Sequence, residues 1–397
     1  LREAAGLLTA GEPIPLPGLD DLSGHLARAR DENRAFEPVE LDGIARSLAL
    51  GPVLRDFLGV RRERAPELAG LADSFPDLEV LRERLTTAIE APGVVVDNAS
   101  PKLWETRKEI RRVEDEVRIE LDRMTEREGV RNALQHRNVT IRNGRFVLAV
   151  KKDMRGRVPG ILHGHSQTGS TVFIEPSEVV ARSSELKELR HRERVEETRI
   201  LTDLSRAVFD QGAEVGETAT LLAWFDLTAA RARLAIEPGR AIARFAEDGA
   251  LRLVDARHPL LVEAAKERGE DVVPLDVRLR EGFRLLVITG PNTGGKTVTL
   301  KTVGLLQVMF QAGLPIPAAA ESRLPVFDRI YADIGDEQSI DQSLSTFSGH
   351  ISNIAGVLED ADRRTLVLLD ELGAGTDPAE GAALGVAIHE ELRERGV

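Results

Sequence analysis

An apolar run at residues 283–289, Phe-Arg-Leu-Leu-Val-Ile-Thr, leads directly into a glycine-rich loop and then into a helical pattern. The run has the character of a strand that is buried on both faces. The helical pattern extends from Thr297 to about Ala312, and Gly313 and Pro315 end it. A buried strand joined by a tight loop to a helix predicts α/β structure, which we expect from about Leu251 onward.

The loop between this strand and this helix has the pattern G-x-x-x-x-G-K-T. Its residues are Gly290, Pro291, Asn292, Thr293, Gly294, Gly295, Lys296 and Thr297. Glycines let successive backbone N–H groups curl around phosphates, and the helix N-terminus adds positive potential. In such a loop Lys296 neutralises the β- and γ-phosphates, and the Thr297 hydroxyl ligates Mg²⁺. The pattern therefore predicts a nucleoside triphosphate site.

A second buried strand is predicted at residues 366–369, and it ends in Asp370 and Glu371. In open α/β sheets the carboxyl ends of the strands line the ligand crevice. We expect Asp370 to hold the Mg²⁺ shell and Glu371 to orient the attacking water or accept its proton. Two acids after a buried strand would by themselves indicate a nucleotide site only weakly. The phosphate loop upstream strengthens that interpretation.

The segment after Glu371 is predicted to turn into another helix. Asp377 is typical of a helix N-cap and Pro378 of the first helical position, with Glu380 completing a capping box. Gly373 and Gly375 are harder to explain, because a short loop rarely needs both. They indicate that a backbone or a second subunit comes close.

A Ser/Thr-rich segment at residues 343–350 precedes a helical pattern carrying Ile351, Ile354 and Leu358. One interpretation is a helix cap. The other is a signature segment that offers hydroxyls and a helix N-terminus to the γ-phosphate bound by a neighbouring subunit. Only the family resemblance described below favours the second interpretation.

The N-terminal half is predicted to be helical with one β interruption. Residues 1–100 indicate short helices, and long helices begin near Leu103 and Val179. In the first helix apolar residues recur at spacings of three and four, at Ile110, Val113, Val117, Leu121 and Met124. In the second, the apolar face is marked by Leu186, Leu189, Ile200, Leu204 and Val208, on either side of a charged middle at residues 190–194. Between them, alternating residues flank a tight Asn143-Gly144 turn. This pattern predicts an arm of about 35–40 Å with a β tip.

The charge of the chain is unevenly distributed. The net charge of −13 excludes a protein that coats nucleic acid with its whole surface, yet residues 129–174 hold eight basic residues and one acid. The tip is therefore a candidate nucleic-acid contact, and its alternative interpretation is a solvated hairpin. The candidate contacts are Arg142, Arg145, Lys151, Lys152, Arg155 and Arg157.

Composition excludes several other classes of protein. The absence of cysteine rules out disulfides, thiolate metal sites and a cysteine nucleophile. No apolar run approaches the roughly 20 residues that span a bilayer. The start at Leu1 has no initiator Met and no signal core, so we expect a cytoplasmic fragment that begins inside a domain.

Taken together, these motifs resemble the MutS family of ATPases. The motifs that carry the resemblance are residues 255–260 (DARHPL), the phosphate loop, 345–347 (STF), and 370–373 (DELG) followed by Gly375-Thr376. Residues 338–346 (QSIDQSLST), 158–161 (VPGI) and 173–176 (FIEP) are similar to the second bacterial branch of that family. That branch lacks the mismatch-reading domain and usually carries a C-terminal Smr nuclease.

The resemblance implies a multidomain α and α/β architecture. It implies a helical core (residues 1–100), lever helices with a β clamp tip (101–212), core helices (213–240) and an incomplete P-loop ABC-type α/β ATPase domain (241–397). It also implies a homodimer that binds ATP and Mg²⁺, in which Ser345 and Thr346 act on the partner's nucleotide. The branch is associated with branched DNA, where it suppresses recombination, and with ribosomal RNA of stalled ribosomes, which it splits.

Three departures qualify this transfer. Val272 stands where mismatch-reading relatives have an aromatic that stacks on adenine, so base stacking should be weaker. Phe173-Ile174-Glu175 and Phe245-Ala246-Glu247 match only the letters of the mismatch-reading motif, and we interpret both as structural. Finally, the ATPase strands and the nuclease expected after Val397 are absent, so we expect poor ATP turnover and no cleavage.

A structural ATPase head of the SMC type is the alternative, with ATP used for dimerisation only. In that class the long helices separate the phosphate loop from the Asp-Glu strand. Here the arm precedes Gly290, and a short stretch of chain links Lys296 to Asp370. The order along the chain therefore disfavours the alternative.

Overall fold

The computed structural model describes residues 1–167, 169–280, 283–290, 295–334, 343–373 and 377–397, with the helical backbone alone for 343–350. The chain divides into two compact units. The arm unit comprises residues 15–60 and 69–223, and the α/β unit comprises residues 1–14, 61–68 and 224–397. The four domain boundaries given above stay a prediction.

The fold mixes helices with small sheets. The helices are α1 (Arg2–Thr9), α2 (Leu22–Asp31), α3 (Pro38–Leu48), α4 (Leu50–Gly59), α5 (Pro66–Asp73), α6 (Glu79–Ala88), α7 (Pro101–Glu126), α8 (Glu128–Arg131), α9 (Ser177–Asp210), α10 (Gly212–Ala235), α11 (Pro259–Arg268), α12 (Lys296–Gln311), α13 (Ser343–Asp360) and α14 (Pro378–Arg395), with 3₁₀ helices η1 (Asp97–Ala99) and η2 (Lys152–Arg157). The strands are β1 (Ile89–Glu90), β2 (Val94–Val95), β3 (Thr140–Arg142), β4 (Arg145–Lys151), β5 (Gly160–His165), β6 (Thr171–Pro176), β7 (Arg244–Phe245), β8 (Leu251–Ala256), β9 (Leu275–Leu279), β10 (Arg323–Leu324), β11 (Arg329–Asp333) and β12 (Thr365–Leu369).

The two long helices of the arm unit are α7 and α9, as the sequence predicts. Ser100 caps α7 through its hydroxyl, which accepts the Leu103 N–H at 3.1 Å. Every apolar position predicted for the two helices is buried. Helix α7 ends at Glu126, and Gly129 lies in the short α8 that follows it.

A four-stranded antiparallel sheet, ordered β3-β4-β6-β5, lies between these helices in the sequence. The predicted turn is confirmed, since Asn143 and Gly144 have φ angles of 51° and 72° and Arg142 pairs with Arg145. Phe146, Leu148 and Val150 face the core shared with α7 and α9, whereas Val147 and Ala149 pack with Phe173. Strand β4 is therefore covered on both faces.

A buried carboxylate ties the two long helices together near the start of α7. Glu196 of α9 is 1% exposed, and its Oε1 accepts hydrogen bonds from Ser100 Oγ at 2.9 Å and Arg199 Nη2 at 2.6 Å. Lys102 Nζ lies 3.2 Å from Oε2. These partners, the Arg199 hydrogen bond foremost, hold the pKa of Glu196 at about 2, although burial opposes ionisation.

The described strands of the α/β unit form two sheets. One is ordered β7-β10-β8-β9, and the other is the parallel pair β11–β12. Helix α12 packs on the second sheet so closely that a Cβ added at Gly304 would lie 2.7 Å from Leu368 Cδ1. At the end of α12, Arg231 Nη2 donates to the Ala312 carbonyl at 2.6 Å, where the helix dipole favours a cation.

The predicted strand at residues 283–289 is wrong as a strand. The segment has no ladder partner among the described residues, and Leu285, Leu286, Val287 and Ile288 are 36–60% exposed. A cavity of about 130 Å³ lies beside it, and Leu285, Ile288 and Leu368 are among the residues that line it. Apolar content favours a buried strand, but a strand also needs hydrogen-bonded neighbours, and here a gap takes their place.

Helix α10 covers most of residues 213–240, where core helices are predicted. Phe225 is fully buried, as expected for a core helix, whereas Trp224 is 43% exposed. Consecutive helical residues point about 100° apart, so the two neighbouring aromatic side chains cannot both face the same core.

Candidate functional site

The glycine-rich loop leads into α12 through a left-handed residue. Gly295 has φ 79° and caps the helix, and Lys296 is the first helical residue. Lys296 Nζ donates to the Gly290 carbonyl at 2.7 Å, so the two ends of the loop meet. Pro291, Asn292, Thr293 and Gly294 lie outside the described residues. A Cβ added at Gly290 or Gly295 would have no atom of the described residues within 4 Å, so the described structure leaves space beside both glycines.

Asp370 and Glu371 directly follow the last residue of strand β12, as predicted. The Asp370 N–H donates to the Asp333 carbonyl at 3.0 Å, which extends the β11–β12 pairing by one residue. Glu371 is exposed and has φ 48°, a left-handed conformation that non-glycine residues seldom adopt. Such strain persists where the surroundings enforce it and is common at functional sites. It turns the chain sharply at the end of the strand.

The loop after Glu371 is held against α14 by two glycines. Gly373 has φ 84°, and a Cβ there would come within 2.5 Å of the Gly381 carbonyl oxygen. A Cβ at Gly381 would in turn meet the Gly373 carbonyl oxygen. The expected close backbone approach is confirmed for Gly373, whereas Gly375 lies outside the described residues.

The cap of α14 is confirmed for Asp377 and Pro378, whereas the capping box with Glu380 stays a prediction. Asp377 Oδ1 accepts the Ala379 N–H at 2.9 Å and the Glu380 N–H at 3.4 Å, and Pro378 is the first helical residue.

The Ser/Thr-rich segment begins α13 rather than preceding it. The helix starts at Ser343, so the backbones of Ser345 and Thr346 belong to its first turn. Their side chains lie outside the described part of the structure, as do residues 335–342. Their predicted role stays a prediction.

The donors at this site match the needs of a triphosphate with Mg²⁺. The loop combines open space at two glycines with a lysine and a helix N-terminus, which favour anions. Hard cations such as Mg²⁺ prefer oxygen ligands, and Thr297 and Asp370 offer a hydroxyl and a carboxylate. The residues present therefore fit the group.

A second loop in the α/β unit is held by Arg257. Its Nε donates to the Val272 carbonyl at 3.1 Å, and its Nη1 lies 2.9 Å from Asp255 Oδ2. Burial, followed by the positive charge of Lys301, lowers the pKa of His258. His258 Nδ1 is buried and has no hydrogen-bond partner within the described chain. A neutral imidazole beside α12 follows from both observations.

In the arm unit, part of the predicted basic set is engaged inside the protein. Arg145 Nη1 donates to Glu175 Oε1 at 3.1 Å and to Ser184 Oγ at 3.1 Å, and His163 Nε2 lies 2.6 Å from Glu175 Oε2. Glu175 is 1% exposed, which confirms that Phe173-Ile174-Glu175 is structural. Sequence reasoning missed this cluster, because its members come from three strands and α9.

The remaining candidates differ in their availability. The Arg142 guanidinium lies over the Phe173 ring at 3.7 Å, and Lys151 Nζ donates to the Asn132 carbonyl at 3.3 Å. By contrast, Lys152, Arg155 and Arg157 on η2 are exposed, and their side chains make no hydrogen bond or ion pair within the described residues. The cationic surface at the tip is therefore centred on η2.

No helix in the described ranges combines the length and apolar composition that a bilayer crossing requires.

Comparison with known proteins agrees with these motifs. Residues 286–396 match the family description "MutS domain V". Endonuclease MutS2 of Geobacillus sp. (strain WCH70) is 42% identical over 397 residues, covering 99% of this chain and 50% of the relative. Endonuclease MutS2 of Agathobacter rectalis is 46% identical over 396 residues, covering 99% of this chain and 49% of the relative.

The chain spans about half the length of the curated relatives it matches. The match to domain V contains Lys296, Asp370 and Glu371, the charged residues predicted to act on the nucleotide. On these matches and on the phosphate-loop motif, the chain belongs to the MutS family and, within it, is similar to the MutS2 proteins.

Proposed function

We propose that the chain binds ATP with Mg²⁺ and hydrolyses it as part of a dimeric clamp on nucleic acid. The observation that carries the nucleotide site is the contact between Lys296 Nζ and the Gly290 carbonyl, beside open space at two positive-φ glycines. Lys296 lies where its ammonium can exchange a backbone carbonyl for phosphate oxygens. The packing of α12 on β12 supports placing the Asp370-Glu371 pair in the same site.

The chemistry assigns one role to each group. Lys296 and the N–H groups at the start of α12 bind the phosphates, and Thr297 and Asp370 hold Mg²⁺. When bound, Mg²⁺ neutralises charge on the phosphate oxygens. Glu371 orients a water molecule and accepts its proton as the water oxygen bonds to the γ-phosphorus, and the bond from that phosphorus to the ADP oxygen breaks.

Replacement of Glu371 by Gln tests the hydrolytic role. Gln keeps the size of the side chain but cannot accept the proton, so ATP turnover by the intact protein should fall by at least about 100-fold while ATP binding persists. Glu390→Gln, an exposed change on α14, is the matched control. Unimpaired phosphate release from the Glu371→Gln variant would remove Glu371 from this role.

The proposed partner of each site is a second copy of the chain. Ser345 and Thr346 lie in the first turn of α13, and a helix N-terminus with hydroxyls suits the γ-phosphate bound by the other protomer. In this arrangement ATP lies between two subunits and holds them together. The family resemblance supports this sandwich over a head that uses ATP for dimerisation only.

The proposed nucleic-acid surface is η2 with its three exposed cations. Neutralising phosphates releases condensed counterions, so the affinity of a phosphate-binding surface falls steeply with salt. The double variant Arg155→Gln/Arg157→Gln should bind a DNA duplex with a shallower dependence of log Kd on log salt concentration. Arg142→Gln, which changes the guanidinium engaged by Phe173, should alter the slope less. An unchanged slope in the double variant contradicts the assignment.

For the intact protein in cells, we propose branched DNA or the ribosomal RNA of stalled ribosomes as the target. Recovering the intact protein from cells and measuring whether ribosomal RNA or branched DNA accompanies it distinguishes the two. Recovery of neither, under conditions in which ATP binding persists, would contradict both roles.

A further inference from the structure

The η2 turn carries an exposed apolar residue among its cations. Met154 is 37% exposed and lies in the middle of the turn. Single exposed apolar residues are common on protein surfaces, so exposure alone has no functional meaning. The surroundings of Met154 are what distinguish it.

Side chains three residues apart are aligned in a 3₁₀ helix. Lys152 therefore aligns with Arg155, and Met154 with Arg157, whereas Asp153 shares the third row with Gly156. The six residues of the turn therefore form three aligned pairs. Two of these pairs contain cations, and Met154 is paired with the cation Arg157. A polyanion bound to these rows is brought directly against the Met154 side chain.

The turn is fixed at both of its ends. The Lys152 N–H donates to the Ser170 carbonyl at 3.0 Å, and Val158, just after the turn, is 2% exposed in the core of the arm unit. Next along the chain, Gly160 lies so close to β6 that a Cβ would overlap the Glu175 carbonyl oxygen. Because the turn is anchored, little conformational entropy is lost when Met154 contacts a ligand.

From this arrangement we infer that Met154 is an apolar wedge, which contacts base faces where stacking is interrupted in a nucleic acid held by Lys152, Arg155 and Arg157. Long apolar side chains such as Met insert between base steps in proteins that bend or open nucleic acids. The inference rests on the proposed nucleic-acid surface. It adds a preference for junctions, since a continuous duplex offers no open base face without unstacking.

The test measures Kd over a series of salt concentrations for a four-way DNA junction, a matched RNA junction and a linear DNA duplex. Met154→Ala should weaken junction binding by about tenfold. Its salt slope and its duplex affinity should stay unchanged, because no phosphate contact is removed. Met154→Leu, which keeps an apolar side chain of similar size, should retain junction binding.

Ile141→Ala is the matched control, because Ile141 is a 54% exposed apolar residue on β3, in the sheet whose strands β4 and β5 flank η2. This variant should change neither the affinity for the junctions nor the affinity for the duplex. Equal effects of Met154→Ala on junction and duplex, or no effect on either junction, would overturn the wedge. An unchanged salt slope in Arg155→Gln/Arg157→Gln would instead overturn the phosphate surface. Comparing the DNA junction with the RNA junction shows which nucleic acid supplies the base faces.

Discussion

Two residues at the candidate site adopt conformations that the stability of the fold does not explain. Glu371 adopts a left-handed conformation at the end of β12, and Lys296 turns back to the Gly290 carbonyl. A strained acid and a lysine beside the glycines of a phosphate-loop motif are expected where a ligand is to be bound. The sequence predicted both residues, since their spacing from glycines and a buried strand is a local property.

Replacing Gly373 by Ala should destabilise the α/β unit. Its φ of 84° and the 2.5 Å approach of the Gly381 carbonyl oxygen leave no room for a methyl group. We expect the free energy of unfolding to fall by about 1–3 kcal/mol, measured by urea denaturation. The matched control is Gly356→Ala in α13, where an added Cβ meets no atom of the described residues within 4 Å and should stabilise the helix by up to about 1 kcal/mol. Equal stability changes in the two variants would contradict the account of Gly373.

Other residue contacts could not be read from the sequence. Glu175 is satisfied by Arg145 and His163, which come from different strands, and Arg142 stacks on Phe173. These contacts depend on strand pairing and sheet order, which hydrophobic periodicity does not specify. This is why a run of basic residues that looked uniform divides into engaged and exposed members.

At the scale of elements, periodicity predicted the long helices well. Helices α7 and α9 bury every residue of their predicted apolar faces, because a single face decides their packing. The segment at 283–289 failed as a strand for the opposite reason. Its composition is that of a buried strand. Whether it pairs depends on a neighbouring strand from another part of the chain, which the composition of this segment does not specify.

The Glu196 cluster should make the joined α7–α9 pair sensitive to acid. Its pKa of about 2 lies below the ordinary glutamate value of about 4.3, so the folded state favours the ionised form. This contribution is fully present above the ordinary pKa and is lost as pH falls toward 2. Glu196→Gln should reduce the free energy of unfolding at pH 7 by about 1–3 kcal/mol.

Urea denaturation at pH 7 and pH 3 measures this difference. The deficit of Glu196→Gln should be smaller at pH 3 than at pH 7. Glu188→Gln is the control on the same helix, because Glu188 pairs with Arg192 across two side chains that are both 58% exposed. A deficit that is the same at both pH values would contradict the role of the carboxylate charge.

At the scale of the whole molecule, the proposed cycle predicts ATP-dependent association. With ATP and Mg²⁺, the Glu371→Gln variant should sediment at twice the monomer mass, because bound ATP is no longer consumed. Adding Ser345→Ala should weaken this association while each protomer still binds ATP. The control Ser352→Ala, an exposed change further along α13, should leave it intact. Association independent of ATP would contradict the sandwich.

The most direct test of the account is the affinity of this chain for a fluorescent, non-hydrolysable ATP analogue with Mg²⁺, measured for the parent, Lys296→Ala and Lys301→Ala. Lys301 is an exposed lysine on the same helix α12 and serves as the control. We predict that the parent and Lys301→Ala bind alike and that Lys296→Ala loses binding. Equal affinity of all three proteins, or no binding by the parent, would contradict the claim that this loop binds the triphosphate.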